Sequence, residues 1–150
     1  MSSPIVDIRF GGEQVEYVAI SVRGRAYRQS RDYWDGNWLL VTVEIRAGKF
    51  SGNVPGVVRA EELHRFRDAL RAFQQTPGGA VSFETKEQWL ALRLEADTLG
   101  HLELSGTLRD DVAYPHNKLV FALKFDPALL ASALRQLEQA AAAFPVIGLT

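Results

Sequence analysis

Residues 39–46 read LLVTVEIR, and the pattern in this stretch decides the fold. Positions 39, 41, 43 and 45 are aliphatic, whereas positions 42, 44 and 46 are threonine, glutamate and arginine. Because side chains alternate between the two faces of a strand, this period of two predicts a β-strand with one buried face. Such one-sided strands are typical of antiparallel sheets packed on a core.

The same pattern continues on both sides of this strand. Residues 5–10 and 15–22 predict two strands joined by a tight turn at Gly11-Gly12. Residues 23–37 are polar and irregular. After a turn at residues 47–49, a short strand is predicted around residues 50–52, and Pro55 and Gly56 are expected to end it.

Two segments have the spacing of amphipathic helices. Residues 60–74 place Leu63, Phe66, Leu70 and Phe73 on one face, and residues 76–79 end this helix. The second helix is predicted to begin at residue 127 and to end before Pro145, with an inner apolar stripe between Leu130 and Phe144. It is announced by an aspartate N-cap followed by proline at the first helical position, in residues 126–127.

Four further strands are predicted between the helices, in residues 81–84, 89–95, 101–109 and 119–125. A hairpin turn at residues 97–100 and a longer loop at 110–117 connect the later ones, so neighbouring strands pair antiparallel. The chain therefore predicts an α+β fold, with an antiparallel β-sheet of about six to eight strands and two amphipathic helices packed on one face. With no internal repeat or linker in the sequence, residues 1–150 are expected to form a single domain.

Composition narrows the classes of function. The formal net charge is −1, from 17 Lys and Arg against 18 Asp and Glu, which argues against a dedicated nucleic-acid binder. Cysteine is absent, so disulfides and thiolate chemistry are excluded. The first residues lack the pattern of a secretory signal, and no apolar stretch approaches the roughly 20 residues that span a bilayer. We expect a cytoplasmic protein without a membrane partner.

The residues offer no local pattern for catalysis. His64, His101 and His116 have no second ligand at zinc spacing and are expected to lie on the surface, with His101 on a solvent-facing strand position. The chain contains no G-x-S-x-G nucleophile turn. We therefore expect no metal, no cofactor and no enzyme, although an acid–base pair assembled from distant residues remains an alternative.

An arginine-rich segment, residues 23–31, contains four arginines around Tyr27. A basic and aromatic mixture of this kind can hold a phosphate backbone. The alternative, which we favour, is that these arginines pair with the nearby Asp32 and Asp35, because the net charge indicates no larger basic surface.

The outer face of the strands near residues 90 and 102 is a candidate partner surface. It is expected to present Trp89, Arg93, Glu95, His101 and Glu103. Tryptophan and arginine are frequent anchors of protein interfaces. The equal alternative is that Trp89 is covered by a loop.

Residues 32–39, DYWDGNWL, are the densest motif in the chain. Asp-Gly-Asn predicts a turn in which Gly36 is free to adopt positive φ. The candidate partner residues here are Tyr33, Trp34, Asp35 and Trp38. The same aromatic side chains are equally expected to act as a plug that closes the sheet over the core.

This motif, followed by the strand at residues 41–43 and by Gly48-Lys49-Phe50-Ser51-Gly52, resembles the WapI-type immunity family of bacterial polymorphic toxin systems. The resemblance continues through Leu63-His64-Arg65-Phe66, Trp89-Leu90 and a terminal helix, and covers most of the chain. It implies a small cytoplasmic protein that binds and neutralises the toxic C-terminal domain of a cognate toxin, often a nuclease. The near-neutral charge departs from the acidic surface that many nuclease inhibitors use.

The leading hypothesis is therefore a non-enzymatic immunity protein that acts by steric occlusion of its toxin. A second hypothesis is a regulatory domain that binds a small molecule or nucleotide in a pocket between sheet and helices, near residues 23–31. A third is an oligomerisation module, a homodimer formed through the outer face around Trp89.

Overall fold

The computed structural model describes residues 5–11, 15–76, 78–111, 113 and 116–148. Three residues of predicted turns and loops lie outside this set: Gly12, Pro77 and Pro115. Residues 1–4, in which the sequence shows no secretory signal, also lie outside it. The elements are β1 (Val6–Gly11), β2 (Tyr17–Arg25), α1 (Tyr33–Gly36), β3 (Trp38–Ala47), β4 (Phe50–Arg59), α2 (Ala60–Gln75), β5 (Ala80–Glu84), β6 (Leu90–Ala96), β7 (Leu102–Arg109), β8 (Lys118–Phe125), a 3₁₀ turn (Pro127–Leu129) and α3 (Leu130–Ala143).

The predicted α+β class and the number of strands are confirmed, but the strands form two sheets. The first sheet has the order β1-β2-β3-β4 and the second has the order β5-β6-β7-β8. Every neighbouring pair is antiparallel, and each sheet is followed in the chain by a helix, α2 or α3. The element order is thus repeated although the sequence shows no repeat.

Both sheets and both long helices share one hydrophobic core. Phe66 of α2 stacks between Phe10 of β1 and Phe83 of β5, with ring centroids 5.5 and 4.8 Å away. Helix α2 packs on α3, and α3 packs on β1. The aliphatic positions of the LLVTVEIR strand that were predicted to be buried, 39, 41, 43 and 45, are all in this core.

Strand β4 is longer than the sequence indicates. The break expected at Pro55 and Gly56 is wrong, because β4 continues from Phe50 to Arg59 and pairs with β3 throughout. Strand β4 is the edge of the first sheet, where a proline needs no partner for the N–H it lacks. Helix α2 then begins directly at Ala60, so the chain passes from strand to helix without a loop.

Among the described residues, no helix is both long and apolar enough to cross a membrane.

Candidate partner-binding site

Residues 32–38, which we call the anchor turn, form one turn of helix and the start of β3. The Asp32 carboxylate is the N-cap: its Oδ2 accepts hydrogen bonds from the backbone N–H of Trp34 at 2.9 Å and of Asp35 at 3.1 Å. Gly36 is helical and is not among the positive-φ glycines, so the predicted reason for this glycine is wrong. Its small size leaves room for the Ile147 side chain, because an added Cβ would lie 2.5 Å from Ile147 Cδ1 and would displace that side chain.

A buried arginine binds the backbone carbonyl groups of the anchor turn. Arg59, only 4 % exposed, donates from Nη1 to the carbonyl oxygen of Trp34 at 2.6 Å and from Nη2 to that of Tyr33 at 2.8 Å. Its Nε also donates to Glu61 Oε1 at 2.9 Å. The guanidinium carbon lies 4.8 Å from the centre of the Trp38 ring. The carbonyls of a short helix, which lack internal partners, are thus satisfied by a charged donor.

The carboxylate of Glu61 is the charged partner of Arg59, and Tyr33 helps to keep this carboxylate ionised. The Tyr33 hydroxyl donates to Glu61 Oε2, and this hydrogen bond to a carboxylate raises the pKa of Tyr33. Burial opposes ionisation of Glu61, but hydrogen bonds from Arg59 and Tyr33 outweigh it and lower the Glu61 pKa. Glu61 is therefore an anion at neutral pH and neutralises Arg59.

The segment after α3 closes over the other side of the anchor turn. The buried Asn37 side chain donates from Nδ2 to the carbonyl oxygens of Tyr33 and Ile147, both at 2.9 Å, and accepts from the Ile147 N–H at 2.9 Å. Arg25 donates to the carbonyl oxygens of Gly36 at 2.8 Å and Pro145 at 2.6 Å. Residues 144–148 therefore act as a strap that fixes the turn.

The aromatic side chains of the anchor turn divide between the two predicted roles. Tyr33 and Trp38 are partly buried against Arg59, which fits a plug. Trp34 is 58 % exposed and Asp35 is exposed. The Trp34 ring meets Tyr33 edge-on with centroids 5.1 Å apart, and Lys86 Nζ lies 5.7 Å from its centre. Trp34 is an exposed aromatic side chain on a fixed backbone.

Trp89 does not lie on the outer face of the second sheet, and that prediction is wrong. It is fully buried, and its Nε1 donates to the carbonyl oxygen of Val57 in β4 at 2.9 Å. The alternation of β6 starts only at Leu90, and the preceding Gln88 has φ +56°, so the chain turns before the strand begins. The alternative of a covered Trp89 agrees with the structure, and strand β4 of the first sheet packs on its ring.

The other predicted partner residues lie on or beside the second sheet. Arg93, Glu95 and Glu103 are exposed on its outer face, and Arg93 Nε donates to Glu95 Oε2 at 3.0 Å. His101 precedes β7 and lies in a turn, not on a strand, with Nδ1 3.1 Å from Asp97 Oδ2.

Glu95 lies toward the end of β6 that is away from Trp34. Lys86, in the turn between β5 and β6, lies beside the Trp34 ring. The cross-strand pair of the second sheet that follows this turn is Glu84 with Ala91. Glu95 is four residues further along β6, roughly 13 Å at about 3.3 Å per residue. That any of these side chains contacts a partner stays a prediction.

The arginine segment differs from the favoured interpretation. Arg25 is used structurally, and the Asp32 carboxylate caps α1. In the described part of the chain, neither Asp32 nor Asp35 forms an ion pair with an arginine of residues 23–31. Arg23 and Arg28 remain exposed cations.

His64 and one surface recess differ from the positions that the sequence predicts for a histidine and a pocket. His64 is partly buried, with Nε2 3.1 Å from the carbonyl oxygen of Phe144, so it is not simply a surface residue. The described residues contain no group of three or more His, Cys, Asp or Glu that could hold a metal. A recess of ≈ 760 Å³ lies beside Glu95, His101 and Lys124, and none of residues 23–31 lines it.

Sequence reasoning missed Arg59 and Asn37 as supports of the site. Two of the hydrogen bonds of Arg59 go to carbonyl oxygens 25 and 26 positions away in the chain, and the partners of Asn37 include Ile147, 110 positions away. The capping aspartate, Asp32, was the only local signal of a helical turn, since Asp before a short apolar run favours an N-cap.

The fold and the site define a two-sheet α+β protein that presents an aromatic side chain on a rigid turn. The chain belongs to the immunity protein WapI-like family, whose sequence pattern matches residues 9–145. This confirms the resemblance. No curated protein matches the chain.

Two solved structures match most of this chain at a low level of similarity. One is from the crystal structures of MRP1/MRP2 of Trypanosoma brucei, with 14 % identity and a TM-score of 0.48 over 92 % of this chain and 83 % of that one. The other is from the structure of a guide-RNA-binding protein complex bound to a guide RNA, again with 14 % identity and a TM-score of 0.48, over 92 % of this chain and 89 % of that one. Similarity at this level carries no functional information.

Proposed function

We propose that this chain is an immunity protein that binds the toxic domain of a cognate bacterial toxin in the cytoplasm and neutralises it by covering its surface. Family membership supports a role in immunity. The observation that carries the binding mode is the exposure of Trp34 on a turn whose backbone groups are bonded to Asp32 and Arg59. The protein needs no chemistry of its own to act in this way.

A rigid exposed tryptophan suits this role for two reasons. Its ring can bury a large apolar area in a pocket of the partner, and tryptophan is among the residues that contribute most to interfaces. The turn is already ordered by Asp32, Arg59 and Asn37. Binding therefore costs little conformational entropy at the anchor, which favours affinity.

The first test is affinity capture from the producing bacterium, with the tagged protein as bait and mass spectrometry as the readout. We expect capture of the C-terminal domain of a large secreted toxin encoded beside this chain. If that toxin is expressed and is not captured, the proposal fails.

The second step measures the role of Trp34 with the purified toxin domain. We expect Trp34→Ala to raise the Kd by about 30-fold or more, because anchor residues contribute about 2 kcal/mol or more. Titration calorimetry measures this change. The matched control is Phe50→Ala, which removes an aromatic side chain that is 67 % exposed at the opposite end of the β3–β4 hairpin. Equal losses in the two variants would contradict an anchor at Trp34.

A further inference from the structure

The outward side of the β3–β4 hairpin forms a largely uncharged strip that continues from the anchor turn. Three cross-strand pairs follow one another on this side: Trp38 with Arg59, Leu40 with Val57, and Thr42 with Pro55. Arg59 is buried beneath its neighbours, so its charge is withdrawn from this surface. We call the surface formed by Trp38, Leu40, Thr42, Pro55 and Val57 the β3–β4 strip.

Leu40 stands out within this strip. It is a large aliphatic side chain, 44 % exposed, on the outer face of a strand whose other outward positions include Thr42, Glu44 and Arg46. Beside it, Val57 is partly exposed and Pro55 is exposed. Apolar side chains grouped at one end of a solvated face indicate an interaction surface more than a single exposed leucine does.

Two arginines flank the strip on the side of β2. Arg23 is exposed, and its Nε lies 3.4 Å from Thr42 Oγ1. Arg28 folds back toward Gly24, the residue of β2 that pairs with Leu40, with its Nη2 3.9 Å from the place of a Cβ there. Neither arginine has an ion-pair partner among the residues that the structure describes.

The outer face of the second sheet has a different charge pattern. Arg93 is paired with Glu95, and Glu103 lies opposite Lys124 in the register of β7 and β8. Glu95 also lies opposite Glu103, so cations and anions are interspersed on that face. The strip has two uncompensated cations beside its apolar side chains, and it adjoins Trp34.

We infer that the toxin domain docks on the β3–β4 strip, with an apolar patch over Leu40 and with carboxylates opposite Arg23 and Arg28. This inference rests on the proposed function, and it replaces the outer face of the second sheet as the main contact surface. The apolar centre would supply affinity, while the arginines would select a partner with acidic groups at the matching positions and speed its association.

Charge reversal on the two faces tests the inference with the identified toxin domain. We expect the double variant Arg23→Glu/Arg28→Glu to raise the Kd at least about tenfold, and Leu40→Lys to do so independently. The matched control is Arg93→Glu/Val120→Lys, which changes an exposed arginine and an exposed aliphatic residue on the second sheet. This control is expected to bind like the wild type.

The outcomes separate the two claims. If the wild type binds and the arginine variant binds equally well, the docking surface is wrong while the immunity role stands. A loss confined to the control would return the interface to the second sheet. If the wild type does not bind, the proposed function fails and the docking surface fails with it. Circular dichroism checks folding, and if Leu40→Lys unfolds, the exposed arginine pair decides the result.

Discussion

At Gly56 the absence of a side chain leaves the space that the Trp89 ring fills. A Cβ atom added there would lie 2.3 Å from Trp89 Cζ2 and 2.6 Å from Cε2. The ring thus joins β4 of the first sheet to the start of β6 in the second. Sequence alternation assigned Trp89 to the outer face because it cannot reveal a cavity made by a glycine 33 positions earlier.

Gly56→Ala is expected to destabilise the protein. The new methyl group has no room beside the Trp89 ring, and overpacking of a core typically costs about 1–3 kcal/mol. Urea unfolding followed by circular dichroism measures the change in the free energy of unfolding. Gly52→Ala on the same strand is the control, because its Cβ would lie at an ordinary 3.7 Å from Ile45 Cγ2. An alanine at position 56 that is tolerated as well as one at position 52 would contradict the packing argument.

The anchor turn and the strap at residues 144–148 behave as one structural element. Asn37 joins them with two hydrogen bonds to Ile147 and binds Tyr33 within the turn, and the Ile147 side chain fills the space left by Gly36. The position of Trp34 is therefore set by residues more than one hundred positions away in the chain.

Asn37→Ala is expected to release the strap. Three hydrogen bonds at about 1 kcal/mol each are lost, so the stability should fall by about 3 kcal/mol. Hydrogen exchange of the amides in residues 144–148 should become faster than exchange in the core strands, whose amides should remain the most protected. The exposed Asn53 on β4 provides the control variant, Asn53→Ala. Unchanged protection of the Ile147 amide in Asn37→Ala would show that Asn37 does not fix the strap.

Elements with a strong local pattern were predicted well from the sequence. The helix predicted at residues 60–74 is Ala60–Gln75. Asp126 caps a 3₁₀ turn at Pro127–Leu129, so α3 begins at Leu130, three residues after the predicted start. The end of β4 was misjudged because proline breaks a central strand but not the edge of a sheet. Whether a strand is an edge depends on the sheet order, which no local pattern contains.

At the scale of the molecule, the eight strands found in the described residues are divided between two sheets around a shared core. A period of two gives the buried face of each strand but not the sheet to which it belongs, so the division was not predictable. For the same reason, the sequence could not show that the predicted partner residues lie on two different sheets. Placing Trp34 relative to Glu95 or Leu40 requires the packing of one sheet on the other.

We propose that the two sheets fold as one unit. The Phe10, Phe66 and Phe83 stack and the Trp89 side chain both join the sheets, so neither half buries its apolar face alone. A fragment of residues 1–76 is therefore expected to remain unfolded by circular dichroism, and the whole chain to unfold in a single transition by two probes. A folded fragment, or two separate transitions, would show independent halves.

The three tryptophans occupy three different environments, which makes them optical reporters of different events. Trp89 is enclosed in the core, Trp38 lies against the Arg59 guanidinium, and Trp34 faces water. Emission from Trp34 is the signal sensitive to covering of the anchor turn, whereas emission from Trp89 senses separation of the two sheets. Trp34 is thus an intrinsic fluorescent label for binding at the anchor turn, and Trp89 is one for the packing of the two sheets.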